Sequence, residues 1–178
     1  MEFPTLNALV FVDNLIEYVL IQKDLVNSLE VKNHWANQSS DCPLRMFSRK
    51  VFTEDIGQAA VHQNLVRLAE QKQIEDPKSK FLLYFKKHPF HANRYLWYTF
   101  TFFLEQFEQN DPFAIVTLCA LVGQLSLFCI RHKDNDMLHL LFYTFTTFLL
   151  KQKLCQTEKG WQLINSAALY YILFESSE

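Results

Sequence analysis

Polar side chains recur on one narrow strip of a helical wheel from residue 5 to residue 30, at about 100° per residue. Asn7, Asp13, Asn14, Glu17 and Asp24 lie on that strip, while Leu9, Phe11, Val12, Leu15, Ile16, Val19 and Leu20 cover most of the rest. A surface helix shows a narrower apolar face, so several neighbours are expected to pack around this first helix. The periodicity lapses over residues 31–53, where Asn33, Asn37, Ser39, Ser40, Asp41 and Pro43 cluster. That stretch reads as a long loop. Thr53 or Asp55 then offers an N-cap for a second helix running to about Lys72. Pro77 breaks the chain, a short third helix spans about Lys80 to Lys86, and Pro89 breaks it again.

Residues 92–108 form a fourth helix with two separate apolar arcs. One holds Leu96, Trp97, Phe100, Phe103, Leu104 and Phe107; the other holds Tyr95, Tyr98 and Phe102. Thr101, Glu105 and Glu108 divide the arcs on one side, Thr99 and Gln106 on the other. One arc suits the core, and the second requires another surface, either a helix or a groove open to partners. Asp111-Pro112 starts a fifth helix, with Asp as N-cap and Pro at the first helical position. Residues 113–130 carry only Thr117, Gln124 and Ser126 as polar side chains. A charged link from Arg131 to Asp136 leads to a sixth helix, Met137 to Leu150, apolar nearly all round. Gly160 and Trp161 open a last helical segment, Gln162 to Phe174.

The two adjoining apolar helices are long enough for two roles. They suit the central hairpin of a bundle, and the first is also about as long as a minimal membrane span. With only 3 glycines and 5 prolines the chain has too few breaks for a sandwich or barrel, so composition agrees with an all-α bundle. The 178 residues, 49% of them apolar, make one domain, residues 1–178. A net charge of −2 without a basic run argues against nucleic acid as a partner. Cys42, Cys119, Cys129 and Cys155 have no metal or disulfide spacing, which points to a reducing compartment. No secretory signal pattern is visible at the N-terminus. His34, His62, His88, His91, His132 and His139 form no H-E-x-x-H motif, and no phosphate loop or nucleophile elbow occurs. We therefore expect a protein that is not an enzyme and has no cofactor and no metal.

The order of elements resembles the Bcl-2 family of apoptosis regulators. An amphipathic first helix, a long loop, a short helical motif, an aromatic helix, an apolar hairpin and a closing Gly-Trp helix follow one another over about residues 8–172. Val61, Leu65, Leu68, Ala69, Glu70 and Lys72 match the family's third homology motif, the death motif, with Glu where Asp is usual and Lys at the last apolar anchor. Asp111, Pro112, Phe113 and Ala114 occupy the places of its first motif but lack the Trp, Gly and Arg, and Gly123 matches a mid-helix glycine. Glu158-Lys159-Gly160-Trp161 is similar to the second motif, and Leu9 to Lys23 to the fourth. The missing arginine falls at Ala114, and Arg94 is the nearest base in sequence that could replace it.

The resemblance implies a Bcl-2-like helical bundle that captures a partner's amphipathic helix in a surface groove. Its floor would be Ala114, Ile115 and Leu118, and its walls Phe81, Tyr84 and Phe85 with Trp97, Phe100 and Leu104. Each of these aromatics also suits a core position. The implied function is pro-survival apoptosis regulation through the death-motif helices of pro-apoptotic relatives, extending to autophagy proteins that carry such a helix. The alternative is a membrane-permeabilising effector like Bax or Bak; Glu70 and Lys72, which weaken the chain's own death motif, favour the survival reading. The implied setting is intracellular, in the cytoplasm or at the mitochondrial outer membrane or endoplasmic reticulum, with membrane association. No apolar span follows Phe174, so no C-terminal anchor is expected within this chain.

Overall fold

The structure, a computed structural model, describes residues 4–23, 51–73 and 75–175. These form an all-α bundle: α1 (Pro4–Gln22), α2 (Glu54–Val61), α3 (Gln63–Gln71), α4 (Pro77–Lys87), α5 (Pro89–Glu105), α6 (Pro112–Arg131), α7 (Asn135–Leu150) and α8 (Glu158–Tyr170). A 3₁₀ turn (Lys153–Gln156) precedes α8, and a π-helical turn (Tyr171–Glu175) follows it. The end expected for the first helix, residues 24–30, and most of the loop expected at 31–53 fall outside the described residues. The last part of that loop is instead fixed to the core. Val51 is buried and its carbonyl accepts from Asn165 Nδ2 at 2.9 Å, while the Phe52 ring meets Phe11 edge-on at 5.8 Å.

α6 is the axis of the bundle. Every residue from Ala114 to Gly123 is buried, as a helix apolar on all sides requires. It pairs with α7, and α1, α2, α3 and α8 all lie against it, with α5 more peripheral. α1 and α6 are each long and apolar enough to cross a membrane, and α6 is largely buried within the bundle. α1 is gripped by α2, α6 and α7, which accounts for its broad apolar arc, although Leu9 faces solvent. Two glycines set the close crossings. A Cβ on Gly57 would lie 2.6 Å from the Tyr18 ring, so α2 approaches α1 across a missing side chain. A Cβ on Gly160 would lie 1.6 Å from the Leu154 carbonyl oxygen, so the start of α8 needs glycine where it passes the 3₁₀ turn. Next to it Trp161 is fully buried, its ring 4.8 Å from Phe11.

The second helix of the sequence reading is two. His62 has extended backbone (φ −68°, ψ 129°) and both ends α2 and caps α3. Val61 therefore belongs to a different helix from Leu65 and Leu68, and the three do not share one continuous stripe. Thr53 stands at the N-cap of α2, but its hydroxyl donates to Asn165 Oδ1 at 2.6 Å rather than capping the helix. Pro77 and Pro89 start α4 and α5 instead of merely ending what precedes them, because a proline at the first helical position loses no intrahelical hydrogen bond.

Candidate functional site

α5 carries aromatic side chains in two directions, and the structure separates them. On one side Trp97 meets Phe148 of α7 at 5.2 Å, and Phe100 meets Phe145 and Phe148 at 5.5 and 5.4 Å, all edge-on. On the other side Tyr95, Tyr98 and Phe102 look towards the end of α3 and the chain that follows it. There, with Lys72, Gln73 and Glu75, they line a small cavity of about 50 Å³. This cavity marks a furrow between α5 and the C-terminal end of α3 with the chain that follows it.

The walls of the furrow are built from local rules. α3 lays Leu65 and Ala69 on α6, both fully buried, and leaves Glu70 in solvent. α4 begins at Asp76, whose carboxylate accepts from Lys78 N at 3.1 Å and from the Ser79 hydroxyl at 2.8 Å. Those hydrogen bonds, Ser79's first, hold the Asp76 carboxyl below its ordinary pKa. α4 folds back on α5, its Tyr84 ring 5.1 Å from Tyr95. Burial in this corner pushes the Tyr95 phenol up to about 12. Lys72 Nζ lies 5.4 Å over the Phe107 ring, and Gln106 Nε2 donates to the Lys72 carbonyl oxygen at the C-cap of α3.

A second opening lies on the other flank of α5. It is a cleft of about 580 Å³ between the end of α5, the start of α6 and the end of α7. Leu104, Phe107, Ala114, Ile115, Phe148 and Leu154 supply its apolar surface. Glu105 and Glu108 line it from α5 and the turn after it, and Lys151 and Lys153 from the chain after α7, with no ion pair between them among the described residues.

The nine residues expected to line one groove are divided among three places. Tyr84 and Phe85 are half-buried on α4 beside the furrow, and Phe81 is fully buried beneath them, 6.4 Å from Phe85. Leu104, Ala114 and Ile115 line the larger cleft. Trp97 and Phe100 pack on α7, and Leu118 is wholly enclosed in α6. Phe81, Phe100 and Leu118 have no exposed surface with which to meet a ligand. The resemblance assigned the longer arc of α5 to the groove, but that arc is the one the α6–α7 hairpin needs.

The furrow residues absent from the expected set are Tyr95, Tyr98 and Phe102, together with Lys72, Gln73 and Glu75. Their signal was the second aromatic arc. Lys72 is where the motif match failed for want of an apolar anchor, and there its ammonium lies over the Phe107 ring. Of the death-motif-like residues, Leu65 and Ala69 are core, Val61 and Leu68 are half-buried, and Glu70 is exposed. Arg94 does not replace the missing arginine in this arrangement. It is exposed, with its guanidinium 5.7 Å over Phe90. Cys119 and Cys155 are wholly buried, and burial raises both thiols far from the thiolate form. No group of three metal-ligating side chains occurs among the described residues. Comparisons with protein-family models, curated proteins and solved structures give no significant match.

Proposed function

We propose that this protein is a helix-capturing apoptosis regulator of the Bcl-2 type, pro-survival in action, and that the furrow between α3 and α5 receives the partner's amphipathic helix. The observation that carries the reading is the outward arc of α5. Tyr98 is 61% exposed, and with Tyr95 and Phe102 it stands over a furrow that no neighbouring helix fills among the described residues. Aromatic side chains at a cleft between helices are the usual anchors of helix-in-groove binding. The order of helices around a buried α6 is consistent with the same reading.

The partners on this reading are pro-apoptotic proteins, and autophagy proteins, whose death-motif helices present apolar anchors at helical spacing. The site of action is intracellular, in the cytoplasm or at the mitochondrial or endoplasmic reticulum membrane. The protein acts by binding, without catalysis. Capture requires the cavity of about 50 Å³ to widen. A second reading, a membrane-permeabilising effector, draws on α6, whose length and hydropathy suit a bilayer once it leaves the bundle.

Calorimetry with a panel of death-motif peptides tests the first reading. Binding to the wild type, weakened at least tenfold by Tyr98→Ala, supports it. Absence of binding across the panel, or unchanged affinity in the variant, overturns it. Peptide-triggered dye release from liposomes by the purified protein would favour the effector.

A further inference from the structure

Six of the described helices begin at a side chain that accepts a hydrogen bond from a backbone N–H of the first turn. Four of these caps are a carboxylate or a hydroxyl: Asp76 on α4, Asp111 on α6, Asp134 on α7 and Thr157 on α8. The other two are histidines, and they start the two helices that flank the furrow. His62 Nδ1 accepts from Asn64 N at 3.2 Å at the head of α3. His88 Nδ1 accepts from Phe90 N at 3.0 Å at the head of α5. Each histidine is also the hinge at which the preceding helix ends.

An imidazole nitrogen accepts only while it is unprotonated, so both caps require the neutral ring with its proton on Nε2. Protonation puts a hydrogen on Nδ1 where the helix N–H must donate. It also sets a positive charge against the positive end of the helix dipole. We propose that His62 and His88 form a proton-sensitive latch: neutral, they hold the heads of α3 and α5, and protonation of their Nδ1 atoms releases both helix heads together.

The surroundings of each ring are sparse in charge. His62 faces the Tyr171 hydroxyl of the π-helical turn at 3.3 Å, with Glu175 further along that turn. On its own helix Arg67 and Glu70 are exposed, and no carboxylate lies within ion-pairing distance of His62 among the described residues. The Asn64 N–H and the Tyr171 hydroxyl both meet Nδ1, which has one lone pair: while it caps Asn64 N it does not fully accept from the tyrosine, and once protonated it donates to Tyr171 Oη and loses the cap. His88 is exposed between α4 and α5, beside Lys86, Lys87 and His91, whose ring is 6.1 Å away. No acidic side chain answers a charge there within ion-pairing distance among the described residues.

The test compares the wild type with the double variant His62→Asn, His88→Asn. Asparagine caps a helix as well as any residue and does not titrate. Amide protection factors are measured by NMR at about pH 7.5 and about pH 5.5, either side of the ordinary imidazole range. In the wild type, protection in the first turns of α3 and α5 is expected to fall roughly tenfold on acidification, the scale of a lost cap, while α6, α7 and α8 keep theirs. The double variant is expected to show no such loss. Equal loss in both proteins, or none in the wild type, overturns the latch. Imidazole ¹⁵N shifts of the wild type give an independent check, since a proton on Nδ1 of either ring at about pH 7.5 overturns it whether or not the variant folds.

These measurements need no ligand, so the latch can fail without touching helix capture. Its consequence for affinity rests on the proposed function: death-motif peptides should then bind about tenfold differently at the two pH values in the wild type and equally in the double variant, following the same cap. Exchange that changes with pH in a protein that binds no peptide would leave the latch standing and remove helix capture.

Discussion

The two aromatic faces of α5 lie on one helix of seventeen residues and have opposite fates. Phe100 is fully buried against Phe145 and Phe148, whereas Tyr98, two residues earlier, is 61% exposed over the furrow. Both arcs are rich in rings, so hydrophobicity alone does not separate them. The difference lies in what stands opposite. α7 brings a row of rings that interlocks with the first arc, while α3 is short, broken from α2 at His62, and ends in Lys72. Dense packing makes the first face rigid, and sparse packing leaves the second open to rearrangement.

Substitutions on the two flanks should diverge most where burial differs most. Leu118→Glu buries a carboxylate with no cation near it in α6, and the expected cost is on the order of 3–5 kcal/mol or more. Loss of the folded protein in circular dichroism is the expected outcome. A soluble, folded variant with only weakened peptide binding would restore Leu118 to the groove floor. Phe100→Ala should cost about 3–5 kcal/mol in urea unfolding through the cavity it leaves. Tyr98→Ala should change stability by no more than about 0.5 kcal/mol, as surface changes do. Equal effects would erase the distinction between the faces.

A smaller effect concerns the furrow side alone. Asp76→Ala removes the cap of α4 and should cost about 1 kcal/mol. Because the Asp76 carboxyl titrates lower in the folded chain than its ordinary value of about 3.9, its contribution is present above about pH 4 and lost as pH falls through the folded value. Asp76→Asn should keep most of the cap and lose that acid dependence, which acid titration of the unfolding midpoint would show. A further pH-dependent signal lies at the alkaline end. The folded Tyr95 phenol titrates near 12 against about 10 when unfolded, so the stability tied to its neutral form is complete below about pH 10. It is lost as pH rises towards 12, and Tyr95→Phe should remove this component from the alkaline unfolding profile.

Much of the fold was legible because local rules were sufficient for it. An aspartate before a proline marked the start of α6 at Asp111-Pro112, and eighteen residues with almost no polar side chain marked the helix around which the bundle packs. Gly160-Trp161 marked the start of the last helix, although the reason for the glycine, the carbonyl of Leu154 lying where its Cβ would stand, involves a turn remote from any local pattern. The break at His62 was not legible. Residues 54–71 read as one amphipathic helix, and the histidine ends one helix and starts another through hydrogen bonds to Asn64 and to Tyr171, which lies 109 positions away.

The sequence by itself determined that the protein is helical, that residues 113–130 form its most buried helix, and that α5 carries two apolar arcs needing two surfaces. These follow from periodicity and from the cost of exposing apolar side chains, both readable along one helix. The tertiary structure alone decided which arc each surface received. The arcs are similar in chemistry, so the choice depends on which neighbour interlocks with which side chains, and Phe145 and Phe148 of α7 fit the arc of Trp97 and Phe100. That fit is a property of two helices brought together by a third, and no single stretch of sequence contains it.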